Sequence, residues 1–328
     1  MSTYKGIQGY TVQSLASDPP ADQATGQLWY NSASNVWKVG SEASGAWATG
    51  GGLQSPRYSA VGAGVDVPTS ILFAGAIPAK ADTETYNGTA WTEVANLNSA
   101  RYSSAGNGTQ TAALSFAGNV QPGKTANTEE WDGTSWAAVN PLNTARISPH
   151  GAGLQTAALC IGGHEPAKSV LVEDYDGTCW SAVTNLLTAT DAGATAAQGT
   201  PSAGLLFTGR TPATGGSQLC ESFDGTSWTE VNNTNTGRNT AGGSGIQTLA
   251  LCFGGDAPGV SPANTVNTEK WDGTSWTETA NLAIGGYEVS GSGTQGSAMC
   301  AAGAPTPTRA SVSEEWASGP EVVTVTTS

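Results

Sequence analysis

The sequence is poor in positive charge. Its 12 lysines and arginines stand against 26 acidic residues, which leaves a formal net charge of −14. Such a field repels the phosphate backbone of nucleic acid, so we expect no nucleic-acid partner. The same charge helps to keep a surface rich in glycine and alanine soluble.

Long apolar runs are also missing. No run approaches the roughly 20 residues that a membrane-spanning helix needs, so we expect no membrane insertion. The first residues, Met1-Ser-Thr-Tyr-Lys-Gly6, lack the basic and apolar regions of a secretory signal. We therefore expect a chain that is made and folded in a cytoplasm, wherever it acts later.

Cysteine and histidine are too few for an obvious metal centre. The chain has five cysteines and two histidines, and no cysteine pair has metal-ligand spacing. No glycine-rich phosphate loop or calcium loop is present. We predict no metal, no cofactor and no catalytic set, and we expect the cysteines to be small packing residues. The cysteines are Cys160, Cys179, Cys220, Cys252 and Cys300.

Glycine and tryptophan are abundant instead, and the tryptophans follow a repeat. Five segments share a glutamate, an aromatic residue, Asn-Gly or Asp-Gly, and a final tryptophan: 84–91, 129–136, 173–180, 221–228 and 269–276. Their final tryptophans lie 45, 44, 48 and 48 residues apart. This period is typical of the four-stranded blades of a β-propeller.

Turn signals divide each unit into four strands. Asp132-Gly133 predicts a two-residue hairpin turn between the third strand, Thr128–Trp131, and the fourth, Thr134–Val139. Trp131 then pairs with Thr134, and Trp136 lies on the same face, where the rings can fill the gap between blades. An apolar second strand precedes a pair of small residues, and a small, polar first strand suits the crowded propeller axis.

The two ends of the repeat predict how the ring closes. A sixth unit follows Trp276 and reaches Trp316 without a fourth strand, whereas Gly45-Ala-Trp-Ala-Thr49 is an orphan fourth strand. Pairing the Trp47 strand with the Trp316 strand completes the last blade and removes the exposed edges. We therefore predict an all-β, six-bladed propeller over residues 41–320, preceded by a leader, 1–40, and followed by a tail, 321–328.

The leader stands outside the repeat. Residues 26–39 predict a small hairpin with residues 31–35 in its turn. Such a hairpin is marginal alone, so its aromatic residues need a partner surface. Either they pack under the rim of the propeller, or they form an attachment or oligomerisation module. These candidate attachment residues are Trp29, Tyr30 and Trp37.

The blade pattern resembles that of kelch and galactose-oxidase-type propellers. The leader motif Gly26-Gln-Leu-Trp-Tyr-Asn31, with repeats such as Leu97-Asn-Ser-Ala-Arg101 and Gly108-Thr-Gln-Thr111, is similar to kelch-like virion proteins of tailed phages, especially marine ones. Leaders of this type also begin many tail-fibre proteins. The resemblance implies a virion location and a non-catalytic, tail-fibre-like adhesin or a capsid or tail decoration. It further implies that the leader binds other virion proteins or a second copy, and that the propeller binds a host-surface glycan or protein.

Two enzyme analogies find little support in the residues. A galactose-oxidase copper site needs two histidines, and we expect His150 and His164 to lie far apart, with solvated side chains. A sialidase needs converging arginines, but four arginines here share one repeat column, which predicts a structural tie between blades. The remaining alternatives are a cellular kelch-type interaction module and a carbohydrate-active propeller enzyme. The column consists of Arg57, Arg101, Arg146 and Arg238, with Thr190 and Gly286 at its other two positions.

Recognition is expected in the connections between the second and third strands. They vary in length and side chain, and they emerge on one face of a propeller around its channel. Tolerated drift of exposed loops is the alternative. The connections are Ala76–Ala81, Asn119–Ala126, His164–Ser169, Arg210–Ser217, Asp256–Asn267 and Ala304–Ala310. Within them, the candidate ligand contacts are His164, Arg210 and Asp256.

Overall fold

The computed structural model describes residues 13–20, 27–42, 45–76, 78–259, 263–305 and 309–324. The described chain is built of β-strands, with one turn of 3-10 helix at Val67–Thr69. None of its helices is long and apolar enough to cross a membrane. The chain divides into two compact units, 46–317 and 1–45 with 318–328.

In the described part of the 46–317 unit, six antiparallel sheets of four strands follow one another along the chain. The first strand of each sheet lies beside the first strands of its neighbours, and the last of them lies beside the first. We number the sheets in chain order. The first comprises Val61–Ala63, Ile71–Phe73, Thr83–Tyr86 and Trp91–Val94; the second Ala105–Thr109, Ala112–Phe116, Thr128–Trp131 and Trp136–Val139; the third His150–Leu154, Ala157–Ile161, Val172–Tyr175 and Trp180–Ala182. The fourth comprises Ala194–Thr195, Gly204–Phe207, Cys220–Phe223 and Trp228–Val231; the fifth Gly242–Ile246, Leu249–Phe253, Thr268–Trp271 and Trp276–Thr279; the sixth Ser290–Gly293, Ser297–Ala301, Ser313–Ala317 and Ala46–Thr49.

The sixth sheet joins distant parts of the chain. Its outer strand, Ala46–Thr49, pairs antiparallel with Ser313–Ala317, and Trp47 stands opposite Trp316. The Trp47 ring also packs edge-on against Phe253 of the fifth sheet, with ring centroids 5.0 Å apart. The predicted pairing of the Trp47 and Trp316 strands is therefore confirmed.

Backbone hydrogen bonds join the sheets into a closed circle. Two residues before the first strand of each sheet, one N–H donates to the carbonyl of the equivalent residue in the preceding sheet, over 2.6–3.3 Å. The first residue closes on the last, because the Ser59 N–H donates to the Glu288 carbonyl at 3.2 Å. We call this set the hydrogen-bonded ring. Its members are Ser59, Ser103, Ser148, Ala192, Thr240 and Glu288, all with φ between 48° and 53°.

Aromatic side chains fill the gaps between neighbouring sheets. Trp136 of the second sheet packs on Phe73 of the first, with centroids 4.9 Å apart. Its Nε1 donates to Thr83 Oγ1 at 3.0 Å. The predicted role of these rings is confirmed, and the same contact recurs in three further pairs. They are Trp180 with Phe116, Trp276 with Phe207, and Trp47 with Phe253.

The predicted hairpin turn is wrong in its register. Trp131 stands opposite Trp136 rather than Thr134, so Gly133 and Thr134 form the centre of the turn. The reason is the side chain of Asp132, whose Oδ1 accepts from the N–H groups of the two residues after Gly133, each at 2.8 Å. A shift of two residues keeps side chains on their faces. The two tryptophan rings therefore still share a face, 5.5 Å apart.

Buried ion pairs fix the connections between sheets. Arg101, in the segment that enters the second sheet, is fully buried and pairs with Glu129 of the third strand at 2.5 Å. The same carboxylate accepts from the backbone and side-chain amides of Asn98, so the connection is held at several points. The structural role predicted for the arginine column is confirmed. The other buried pairs are Arg57 with Glu84, Arg146 with Glu173, Arg238 with Glu269, and Arg309 with Glu314.

The second unit contains a sheet built from both ends of the chain. Its strands are, in spatial order, Gln13–Leu15, Leu28–Asn31, Val36–Glu42 and Pro320–Thr324. The predicted hairpin is confirmed, because Asn31 stands opposite Val36 across the turn. The structure also pairs residues 320–324 with 38–42, so most of this edge strand comes from the segment predicted as a tail.

Candidate ligand site at the mouth of the ring

The hydrogen-bonded ring surrounds the mouth of a cavity of about 310 Å³. All six of its members line this cavity. The inner strands beyond the ring approach closely, since a Cβ placed on Gly151 would lie 2.7 Å from the Gly106 carbonyl oxygen. Small residues are therefore required in these inner strands, as the sequence predicts. The cavity that they line along the axis has a volume of only about 110 Å³.

Asp191 organises the polar side chains on one side of the mouth. It lies in the segment that enters the fourth sheet, and its side chain is only 3% exposed. Its Oδ1 accepts from Arg210 Nε at 2.9 Å, and its Oδ2 lies 3.4 Å from His164 Nδ1. The backbones of Asp191 and Arg210 also exchange two hydrogen bonds. An oriented guanidinium, 42% exposed, is therefore held at the cavity, which Arg210 lines.

His150 lies beside this group and is buried. It begins the third sheet and lines the cavity with only 6% of its surface exposed. Burial lowers the pKa of His150 to about 4, although the charge of Asp191 opposes the shift, so the imidazole is neutral near pH 7. Its Nε2 accepts from the Gly193 N–H at 3.2 Å, which assigns the proton to Nδ1. The expectation of a solvated side chain is wrong for His150, which is buried, whereas the His164 side chain is 42% exposed. His164 contacts Asp191, and the charge of Asp191 also acts on His150.

Hydrogen-bond acceptors lie on the opposite side of the mouth. Glu288 lines the cavity from the sixth sheet, and its Oε2 accepts from Ser59 Oγ of the first sheet at 2.5 Å. In a circle of six sheets, the sixth and first face the third and fourth. The mouth is therefore polarised, with N–H donors on one side and a carboxylate on the other. The hydroxyl groups of Ser103 and Thr240 lie between the two sides, and that of Ser148 lies on the donor side.

The three loop residues expected to contact a ligand do not all meet. His164 and Arg210 come together on Asp191. Asp256 belongs to the connection of the fifth sheet, where its Oδ2 accepts from Asn239 Nδ2 at 3.4 Å. Parts of three connections, residues 77, 260–262 and 306–308, lie outside the described residues.

Sequence reasoning missed Asp191, Glu288 and the burial of His150. One signal for Asp191 was available in the sequence. The residue before it, Thr190, stands at the position where four other sheets carry arginine. A polar departure from a structural repeat therefore marked the site. No comparable signal exists for His150, since its burial depends on how the sheets converge at the axis.

The cysteines are packing residues, as expected, apart from the exposed Cys179. Burial raises the pKa of the Cys160 thiol to about 11 and that of Cys252 to about 12, so both stay protonated near neutral pH. Across the described ranges, no three His, Cys, Asp or Glu side chains come together in a way that could hold a metal ion.

The expected attachment residues differ in exposure within the terminal sheet. Trp29 is buried, and its Nε1 donates to Asp18 Oδ1 at 3.1 Å. Tyr30 and Trp37 pack edge to face, with centroids 5.6 Å apart. Trp37 stays 44% exposed. The sheet therefore presents an aromatic pair to its surroundings.

Comparison with known proteins identifies the fold but no family. No protein-family model matches the chain, and no curated protein matches its sequence. The solved structure of YjhT matches with a TM-score of 0.65 at 13% identity, over 82% of this chain and 99% of that one. The fold is propeller-like and all-β. Because 271 solved chains match, and because one fold supports many functions, the likeness does not assign a function.

Proposed function

We propose that this chain is a non-catalytic binding and structural protein of a tailed-phage virion, either a tail-fibre-like adhesin or a capsid or tail decoration. In this proposal a six-bladed, kelch-like propeller binds a ligand at the mouth of its ring. The terminal sheet attaches the chain to other virion proteins or to a second copy.

The observation that carries the binding role is the placement of the arginines. All six arginines of the chain lie in its described part, and five are buried in ion pairs with glutamates. The sixth, Arg210, is held at the cavity by Asp191 with its charge accessible. Varied polar groups on a rigid scaffold are the usual arrangement of a recognition site.

The blade number has its own support. The hydrogen-bonded ring has one member for each of the six sheets, and the first and last strands of the repeat pair in the sixth sheet, where Trp47 stands opposite Trp316. The hairpin that pairs an aromatic residue with a tryptophan in each of the first five sheets supports the kelch-like assignment.

The attachment role is supported by the terminal sheet and its aromatic pair. Tyrosine and tryptophan with exposed rings are enriched where protein interfaces form. The Leu28–Asn31 strand that carries Tyr30 is also part of the motif that resembles phage leaders. The attachment surface therefore lies in a compact unit other than the one that holds the cavity.

Substitution of the aromatic pair tests this proposal. Phage particles assembled with a Tyr30→Ser/Trp37→Ser chain should contain about tenfold less of it than wild type, because interface aromatics dominate binding energy. Leu187→Ser is the matched control, since Leu187 is 61% exposed in the 46–317 unit. Immunogold labelling of purified particles measures incorporation. Equal incorporation of the aromatic variant contradicts the attachment role, and wild-type chains absent from particles contradict the virion assignment.

A further inference from the structure

We propose that the mouth of the ring binds a sugar acid, whose carboxylate contacts Arg210 and whose hydroxyl groups donate to Glu288 and to the ring hydroxyls. This inference rests on the proposed ligand-binding role of the mouth. It adds the chemical class of the ligand, a small carbohydrate that carries a carboxylate.

Arg210 has the free donors that a carboxylate needs. Only its Nε is engaged, by Asp191 at 2.9 Å, and its two terminal amino groups make no hydrogen bond to any described residue. A guanidinium presents such donors as a planar fork that matches the two oxygens of a carboxylate. Because Asp191 is almost fully buried, it fixes the direction of the fork.

The neighbouring histidine adds a donor without adding charge. The hydrogen bond from Gly193 to Nε2 leaves the Nδ1–H of His150 as a donor. Since His150 also lines the cavity, Arg210 and His150 together present N–H groups on one side of the mouth. An anionic group is favoured on this side.

The opposite side favours hydroxyl groups. Glu288 is an acceptor that a second anionic group would avoid, whereas a sugar hydroxyl can donate to it. The ring backbone is held by its own hydrogen bonds, so the ring offers a ligand the side-chain hydroxyl groups of Ser59, Ser103, Ser148 and Thr240. Ser59 already donates to Glu288 and Thr240 to the Asn239 carbonyl, so these two hydroxyl groups remain as acceptors. Closely spaced hydroxyl groups of this kind suit a polyhydroxylated ligand. A cavity of about 310 Å³ can hold a single sugar ring.

Calorimetric titration of the full chain with four small ligands tests the proposal. Glucuronate should bind with a Kd on the order of 1 mM, as expected for a ligand of this size. Glucose lacks the carboxylate and inorganic phosphate lacks the hydroxyl groups, so each should bind about tenfold more weakly or worse. Glucosamine, which is cationic, should not bind at the Arg210 side. Binding of glucose as tight as that of glucuronate would overturn the role of the carboxylate, and phosphate as tight as glucuronate would overturn the role of the sugar.

Substitutions at the mouth and away from it locate the binding site. Arg210→Met should weaken glucuronate binding by about 10- to 100-fold, because a charged hydrogen-bond partner is lost. Lys124→Met is the matched control, since Lys124 lies in a surface hairpin and does not line the cavity, and it should bind as wild type does. Unchanged binding by Arg210→Met would overturn the proposal.

Glu288→Gln separates two roles of that carboxylate. If Glu288 accepts sugar hydroxyls, the variant should weaken glucuronate binding, whereas tighter binding would show that it only repels the anion and would overturn the acceptor role. A failure of glucuronate to bind overturns this inference alone. The attachment role is judged separately, by incorporation of the Tyr30/Trp37 variant into particles.

Discussion

The fourth and sixth sheets depart from the repeat at the same position and resolve the departure differently. Each lacks the arginine that enters the other sheets, because the position is occupied by Thr190 or Gly286. In the sixth sheet, Arg309 from the loop after the second strand turns inward and pairs with Glu314. A Cβ placed on Gly286 would lie 2.9 Å from Arg309 Cγ, so the loop arginine uses the space that the missing residue leaves.

In the fourth sheet, the loop arginine does not turn inward. Arg210 pairs with Asp191 at the cavity, and the equivalent glutamate, Glu221, has no cation partner among the described residues. Glu221 accepts from the backbone N–H groups of Leu187 and Thr188 and from the Thr188 side chain. Burial, the largest influence, raises the pKa of Glu221. The fourth sheet therefore lacks the buried arginine–glutamate pair of the other sheets, and its loop arginine, Arg210, lies at the mouth of the cavity instead. Departures from a structural repeat can mark a functional site when the lost interaction is not replaced.

The largest expected effect on stability comes from breaking the buried Arg101–Glu129 ion pair of the second sheet, which the fourth sheet lacks. Arg101→Met should lower the free energy of unfolding by about 3–5 kcal/mol, because Glu129 is left buried and unpaired. Thr190→Val, at the equivalent position of the fourth sheet, should cost less than about 1 kcal/mol, since only a hydroxyl hydrogen bond is lost. Urea unfolding of both variants measures the difference. Equal losses would show that the arginine column does not stabilise the sheets through its charge.

In the sixth sheet, Arg309 takes the role of the connector arginine that is missing at Gly286. This equivalence can be tested by moving the arginine back to position 286. Arg309→Met should also cost about 3–5 kcal/mol, because it leaves Glu314 buried without a cation. Adding Gly286→Arg to this variant should recover only a small part of the loss. The connector arginine then reaches the same carboxylate, but its Cβ still lies 2.9 Å from the Ala304 carbonyl oxygen and from the Cγ that methionine keeps, so both must shift. The single variant Gly286→Arg should instead destabilise the protein, because both arginines compete for one space. A double variant no more stable than Arg309→Met would contradict the proposed equivalence.

Acid should destabilise the folded chain by protonating His150, which lines the mouth of the cavity. Its pKa is about 4 in the folded chain, and an unfolded histidine titrates near 6.5, so between these values only the unfolded state binds the proton. The free energy of unfolding should therefore fall by about 3 kcal/mol between pH 7 and pH 4 from this residue alone. His150→Gln removes the titration and keeps an acceptor. The wild type should lose about that much more stability than the variant over the same pH range, and parallel curves would contradict the burial of the imidazole.

The sequence was sufficient for the strands and for the pairing of the Trp47 and Trp316 segments, because the repeat specifies both. The register of the Asp-Gly hairpin was mispredicted, because it depends on hydrogen bonds to the Asp132 side chain. The Asp-Gly turns, the small first strands and the Trp47 strand each reflect a local or repeated requirement. The polar mouth was only partly predictable. Arg210 and His164 were found as variable loop residues, but their meeting at Asp191 depends on the packing of two neighbouring sheets. The Pro320–Thr324 strand of the terminal sheet gave no signal, because pairing between the two ends of the chain leaves no periodic pattern.

The smallest expected effect on stability comes from restoring the missing arginine of the repeat in the fourth sheet. Thr190→Arg should place a guanidinium beside Glu221, since Thr190 already lies over Gly209 as Arg57 lies over Gly75. Because the pKa of Glu221 is raised, the folded state binds more protons than the unfolded state above about pH 4.5, so this glutamate lowers stability as the pH rises through its folded pKa. The new cation should lower that pKa and remove this slope, with a gain of at most about 1 kcal/mol at pH 7, because burying the guanidinium offsets most of the attraction. Urea unfolding at pH 5 and pH 7 should show a larger gain at pH 7. If Thr190→Arg stabilises a Glu221→Gln chain equally well, the effect does not come from the pair, and the contrast between the fourth sheet and its neighbours is one of packing rather than charge.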